Sequence, residues 1–153
     1  MIKLREAKIK DLSTLLEFEK SLIEYERAFT PNLKKSDFNY YDLKSYIEDP
    51  DISVVVAEKE NSLIASGYAL IRLNKTYKNP PHLVFLGFMY VVPMYRGMGV
   101  NKKILNYLLD WGKKRGYTEF QLDVYAPNQS AIKAYKKAGF EFETITMRLK
   151  IEY

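Results

Sequence analysis

Apolar and polar residues alternate with two different periods along this chain, and each change of period marks an element. Ile2 to Arg5 reads as a short first strand. From Leu12 the apolar positions shift to helical spacing, through Leu15, Leu16, Leu22 and Ile23, with Asp11 standing where a cap is expected. That helix should end near Arg27, before Thr30–Pro31. Residues 32–39 are polar and read as loop. Tyr40 to Glu48 reads as a second short helix, closed by Asp49-Pro50-Asp51, and it is the most aromatic part of the first half. Ile52 to Glu58 is a strand by its β-branched content. Leu63 to Leu73 is its hairpin partner across the turn at 59–62. Leu83 to Val92 is the long central strand. Gly87 inside it marks a bulge, a close approach by a ligand, or a small packing residue.

The helical period returns at Val100, Ile104, Leu105, Leu108 and Leu109 and stops at Gly112 or Gly116. Thr118 to Tyr125 alternates and reads as a strand. Asn128 opens another helix with Ala131, Ile132, Tyr135 and Ala138 on one face and Gly139 as its stop. Phe142 to Ile151 alternates again and reads as a closing strand. The expected order is β-α-α-β-β-β-α-β-α-β. It implies an α/β fold with one mixed sheet and helices on both faces. At 153 residues, one domain spanning 1–153 is the natural expectation.

Composition narrows the chemistry. Cysteine is absent and His82 is the single histidine. Disulfide scaffolds, thiolate metal sites and a cysteine nucleophile are therefore excluded, and no metal centre is expected. No Gly-x-Ser-x-Gly elbow is present, so direct transfer between two bound substrates is favoured over covalent catalysis. The net charge of +5 is spread in small lysine clusters without a long basic stripe. That suits a solvated surface or an anionic small ligand better than nucleic acid. No apolar run approaches a membrane span and the N-terminus lacks a signal-like apolar block, so a cytoplasmic protein is expected.

The stretch from Tyr90 to Lys103 carries the candidate site. An apolar strand runs into Pro93, then a turn with Arg96, Gly97 and Gly99, then a periodic helix. Glycines let the backbone turn sharply, and a helix start offers free N–H groups and a positive dipole end. Strand, glycine turn and helix start together make a phosphate cradle, with Arg96, Lys102 and Lys103 adding charge. On this stretch alone, a structural turn and an anion site fit equally well.

A second stretch decides. Asn128, Ala131, Tyr135, Gly139 and Phe140, taken with the Arg96-Gly97-Met98-Gly99-Val100-Asn101 turn, resemble the GNAT superfamily of N-acetyltransferases. Asn101 departs from that family's pattern, which has a small residue there. The resemblance implies that acetyl-CoA slots between two splayed strands, here Leu83–Val92 and Thr118–Tyr125. The backbone of Tyr90, Val91 and Val92 then pairs with the pantetheine arm. The N–H groups from Arg96 through Gly97, Met98, Gly99, Val100 and Asn101 to Lys102 hold the pyrophosphate, and Asn128 sits by the pantetheine. A backbone N–H near Tyr90 serves the oxyanion, and Tyr135 protonates the departing thiolate. The second partner is an amine acceptor whose identity stays open, and a homodimer is compatible with the resemblance.

A lysine-like amine is only ~0.04% neutral at pH 7, so a base is expected. Glu24, Glu26, His82 and Asp123 are the candidates, and nothing in the sequence separates them. The aromatic patch of Phe38, Tyr40, Tyr41 and Tyr46 reads first as core, then as a pocket wall or dimer surface. Two alternatives remain beside acetyl transfer: an inactive acyl-CoA-binding module and transfer of a larger acyl group.

Overall fold

A computed structural model describes all residues from Met1 to Tyr153. Its strands are β1 (Lys3–Glu6), β2 (Ser53–Lys59), β3 (Ser62–Leu73), β4 (His82–Val91) and β5 (Phe120–Leu122). They form one five-stranded sheet in the spatial order β1-β2-β3-β4-β5. The pairs from β1 to β4 are antiparallel, and β5 runs parallel to β4. The helices are α1 (Leu12–Glu26), α2 (Leu43–Glu48), α3 (Val100–Lys114) and α4 (Gln129–Lys137). The chain falls into two units, Met1–Asp123 and Val124–Tyr153, and each is described by itself. No helix is long and apolar enough to cross a membrane.

In the first unit, strand alternation sorts side chains to the two faces of the sheet. Val54, Val56, Tyr68, Leu83, Phe85, Phe88 and Tyr90 form one buried cluster with Leu15, Phe18 and Leu22 of α1 and Leu43 of α2. On the other face Ile104 and Leu108 of α3 press so close on Gly67 that a Cβ there would lie 2.6 Å from Ile104. Gly112, deep in α3, does the same for Phe120 and Val84. Helices therefore cover both faces, and each large apolar side chain removed from water contributes about 2 kcal/mol.

The fold class and the element order through α4 are those expected from the pattern, with instructive differences at the ends of elements. Asp11 does not cap α1. Its carboxylate takes both Arg5 guanidinium nitrogens, at 2.8 and 3.0 Å, and the Lys8 N–H at 2.8 Å. The second helix begins at Leu43 and not at Tyr40, because the Tyr40 and Tyr41 N–H groups are bonded to Glu19 Oε2 at 2.8 and 2.9 Å. Asp42 caps it through the Ser45 N–H. Gly112 lies inside α3, and Gly116, with φ of +84°, follows its end. The strand expected over Thr118–Tyr125 is paired only from Phe120 to Leu122.

The segment expected to form the closing strand, residues 142–151, belongs to the second unit. The second unit holds α4, and residues 138–153 carry no regular secondary structure.

Candidate active site

β4 changes character half-way along. From Val84 to Leu86 it is paired on both sides, with β3 and with Phe120–Leu122 of β5. From Gly87 onward no strand pairs on the β5 side. At the same point β4 bulges: Gly87 faces Tyr68 and Tyr90 faces Ser66, so β4 spends an extra residue. Phe88 takes it up at φ of +55°, a left-handed conformation unusual for a side chain, which the surroundings must hold in place. Its ring is 2% exposed, and its carbonyl accepts a 3.0 Å bond from the buried Ser66 hydroxyl.

Gly87 has a packing reason that the sequence leaves open. A Cβ there would lie 2.5 Å from the Tyr68 hydroxyl and ring. The Tyr68 phenol fills the space over the strand where a β4 side chain would project. Burial pushes that phenol up to about 12, helped by the nearby Tyr46 and Asp123 and opposed by Arg72.

Beyond Val91 the chain makes a 3-10 turn at Pro93–Tyr95, then enters α3 through Gly97 (φ +78°) and Gly99 (φ +79°). Both glycines sit in the left-handed region, and a Cβ on either would meet nothing within 4 Å. They are required by backbone conformation and not by crowding. Lys103 N–H to the Gly99 carbonyl is the first bond of the new helix, so the N–H groups of Gly97 through Lys102 have no acceptor in the chain. These free donors stand at the positive end of a 15-residue helix, with open space at both glycines. That arrangement fits a diphosphate. Asn101 adds a buried Oδ1 with no donor.

Arg96 is not part of the mobile charge around this turn. Its backbone N–H goes to the Pro93 carbonyl and its Nε to the Val91 carbonyl at 2.9 Å. Its guanidinium lies over the Tyr25 and Tyr90 rings at 5.3 and 5.6 Å. It braces the turn back onto β4 and to the last turns of α1. The Val92 N–H is likewise engaged, by the Ile64 carbonyl. Lys102 and Lys103 remain exposed.

Over the open half of β4 lies an aromatic and acidic cluster. Tyr41 meets Tyr68 and Phe88 with ring centroids 5.2 and 5.3 Å apart, and Tyr46 meets Tyr68 at 5.4 Å. Phe38, Tyr40 and Tyr41 continue the chain of rings outward. The patch is thus an extension of the core, as the sequence reading ranked first. Behind it Glu19 is 1% exposed, with Oε2 holding the loop and Oε1 without a partner. Burial raises its carboxyl above the ordinary range, against the two N–H bonds. Burial also raises Glu26, against a hydrogen bond from Tyr40. Tyr41 is raised too, chiefly by burial and then by Tyr68 and Glu26.

The remaining base candidates have different surroundings. Glu24 is exposed and paired with Arg27 at 2.9 Å. His82 is exposed at the start of β4, and Asp123 is exposed just past β5. Sequence reasoning missed Ser66, Tyr68, Glu19 and the strained Phe88. Only Gly87 signalled any of them.

In the second unit Asn128 Oδ1 accepts the Ala131 N–H and caps α4, leaving its amide NH2 without a bond in the chain. The helix ends in a Schellman motif: Phe140 N–H to the Tyr135 carbonyl and Gly139 N–H to the Lys136 carbonyl. Tyr135 is half-buried on α4, with the Phe140 ring edge-on at 5.9 Å. The spacing Tyr135, Gly139, Phe140 thus has a helix-ending role as well as any chemical one.

A central strand that loses its neighbour just before a glycine turn and a helix start is the arrangement in which α/β proteins place ligands beyond their strand ends. The comparisons agree. The model of the acetyltransferase (GNAT) family matches residues 19–140. A thialysine N-epsilon-acetyltransferase of Mus musculus is 29% identical over 147 residues, covering 90% of this chain and 82% of that one. A protein described as a predicted acetyltransferase from Clostridium acetobutylicum, solved with acetyl-CoA, shares the fold with a TM-score of 0.76 at 23% identity, over 98% of this chain and 96% of that one. A Bacillus halodurans protein superposes at 0.87 with 18% identity, over 98% and 99%. This chain belongs to the acetyltransferase (GNAT) family and is an N-acetyltransferase.

Proposed function

We propose that residues 1–153 act as one domain that moves an acetyl group from acetyl-CoA directly onto a primary amine. The observation that carries this reading is the run of free N–H groups from Gly97 to Lys102 at the start of α3. They suit the pyrophosphate of coenzyme A, with Lys102 adding charge. Gly97, Met98, Gly99, Val100 and Asn101 contribute backbone, so side-chain identity matters little at Met98. The unpaired side of β4 offers strand-like bonds to the pantetheine amides. The Val92 N–H and Val91 carbonyl are already engaged, so that pairing falls chiefly to Tyr90 and its neighbours. Asn128 keeps an amide NH2 for a pantetheine carbonyl.

In the reaction the amine lone pair attacks the thioester carbonyl. The tetrahedral oxyanion is met by a backbone N–H in the Tyr90 region. The C–S bond breaks, the thiolate takes the phenolic proton of Tyr135, and the resulting phenolate takes the surplus proton of the new amide nitrogen. Of the base candidates, Glu26 is the best suited to relieve the ammonium of its proton. Burial raises its carboxyl toward neutrality, the environment a general base needs. Its helix also reaches Arg96 through Tyr25, and the same guanidinium lies over Tyr90. The mouse relative's thialysine chemistry suggests a small acceptor with its amine on a flexible stem.

The test is release of coenzyme A thiol across a panel of amines, which the cysteine-free chain leaves without background. Tyr135→Phe should lower kcat by about 10²–10⁴ while acetyl-CoA binding, measured by calorimetry, is unchanged. Undiminished turnover removes Tyr135 from the chemistry. Glu26→Gln should flatten the rise of kcat/KM with pH. Binding of acetyl-CoA with no amine consumed identifies an inactive module, and turnover only with longer thioesters identifies a different acyl donor.

A further inference from the structure

A bulge takes backbone groups out of the ladder, and inside a fold those groups need other partners. Where β3 offers Gly67, β4 spends two residues, Phe88 and Met89. The Phe88 carbonyl takes the buried Ser66 hydroxyl at 3.0 Å. The Phe88 N–H is answered from outside the sheet, by the phenol oxygen of Tyr41. Tyr41 lies in the segment between α1 and α2, and Glu19 fixes it there. Glu19 Oε2 accepts the Tyr41 N–H at 2.9 Å and the Tyr40 N–H at 2.8 Å. The Tyr41 ring is wedged between Tyr68 and Phe88, with centroids 5.2 and 5.3 Å away. Burying a carboxylate as deeply as Glu19, at 1% exposed, is unfavourable. What this one secures is the place of Tyr41 over the bulge.

Phe88 stands two residues before Tyr90, in a left-handed conformation that only its surroundings maintain. Any relaxation of Phe88 turns the peptide groups of Met89 and Tyr90 with it. Oxyanion stabilisation depends on donors already aimed at the place where charge develops, so a small rotation there is expensive. We propose that Tyr41, fixed by Glu19, is a positioning residue for acetyl transfer. It locks the Phe88 bulge so that a backbone N–H of the Tyr90 region is aimed at the thioester oxygen. This rests on the reading above that such an N–H serves the oxyanion.

The test needs no acceptor. Acetyl-CoA isotope-labelled at the acetyl carbonyl is bound to the protein, and its carbonyl stretch is read by infrared spectroscopy. In the parent the stretch should lie below that of free acetyl-CoA, as a hydrogen-bonded carbonyl does. Tyr41→Phe keeps the ring and removes only the oxygen that holds the Phe88 N–H. It should return the stretch toward the free value while acetyl-CoA still binds. With an amine that the parent acetylates, its kcat should fall about 10–100-fold, part of the roughly 10²–10³ that losing an oxyanion donor costs. Glu19→Ala, which releases Tyr41, should do the same, and Glu19→Gln, which keeps an oxygen for the two N–H groups, should restore both readings. Should Tyr41→Phe or Glu19→Ala fail to fold, the other decides. A stretch and kcat unchanged in a folded variant, with only Tm lowered, overturn the proposal and leave the oxyanion reading standing. An unshifted carbonyl in the parent removes both.

Discussion

β4 is two strands end to end. Its first half, up to Leu86, has neighbours on both sides and alternates regularly. Its second half has one neighbour, a bulge and a left-handed Phe88. The first half is made of structure-building contacts. The second withdraws pairing, and the polar groups this frees are the ones a ligand can use. The difference is produced by particular residues. Tyr68 needs the space over Gly87, Ser66 holds the Phe88 carbonyl, and Arg96 ties the following turn back to Val91.

The largest effect should come from the turn that ends the open half. Gly99→Val places a β-branched residue at φ of +79° where its Cβ touches nothing. The cost is therefore conformational and not steric. At about 2 kcal/mol for a left-handed residue, acetyl-CoA affinity should weaken about 30-fold if the variant rebuilds the turn. Calorimetry reads the affinity and thermal unfolding reads the fold. Equal affinity in the variant shows that the N–H groups of this turn do not grip the cosubstrate.

Gly87 tests the junction of the two halves, with a cost that falls on stability and not on affinity. Here the backbone is ordinary and the crowding severe, the reverse of Gly99. Gly87→Ala drives a methyl to 2.5 Å from the Tyr68 ring, which Tyr41 and Tyr46 hold in place. Overpacking of this sort costs about 1–3 kcal/mol. Repeating the substitution in a Tyr68→Leu background should remove most of that cost, a coupling that a double-mutant cycle in urea measures. Independent, additive costs would mean that Tyr68 is not what Gly87 makes room for.

These cases show what a one-dimensional reading can and cannot see. The turn into α3 was legible because its cause is local: Gly97, Gly99 and the apolar period after Val100 are neighbours in sequence. So was the order of elements through α4, since each has its own period. Gly87 was visible as an anomaly but not as a cause, because the residue that explains it lies on another strand. Glu19 was invisible. On a helix a glutamate reads as solvent-facing, and only the fold brings the Tyr40 and Tyr41 N–H groups to it. Asp11 misled for the same reason: it stands at a cap position, yet Arg5 claims it.

The smallest effect sharpens the contrast between Glu19, which clasps the Tyr40–Tyr41 loop over the open half, and Asp11, which holds Arg5 of the edge strand β1. Both are buried carboxylates, with opposite electrostatics. At the edge, Asp11 is held below the ordinary carboxylate range, first by the Arg5 hydrogen bonds. Its stabilisation is present above the unfolded value, near 3.9, and is lost as pH falls through the lower folded value. Over the open half, Glu19 is raised by burial, so the native state holds its proton longer than the unfolded chain does. Its contribution is largest below about 4.3 and declines as pH rises through the folded value. The two substitutions should therefore slope oppositely in Tm against pH. The deficit of Asp11→Asn should shrink as pH falls from 5 to 3. The difference between Glu19→Gln and the parent should move in the variant's favour as pH rises from 4 to 7, whatever constant offset the amide introduces. Parallel slopes would mean that Glu19 is paired in solution by a cation, and that the clasp over the open half rests on charge in the same way as the Asp11–Arg5 pair.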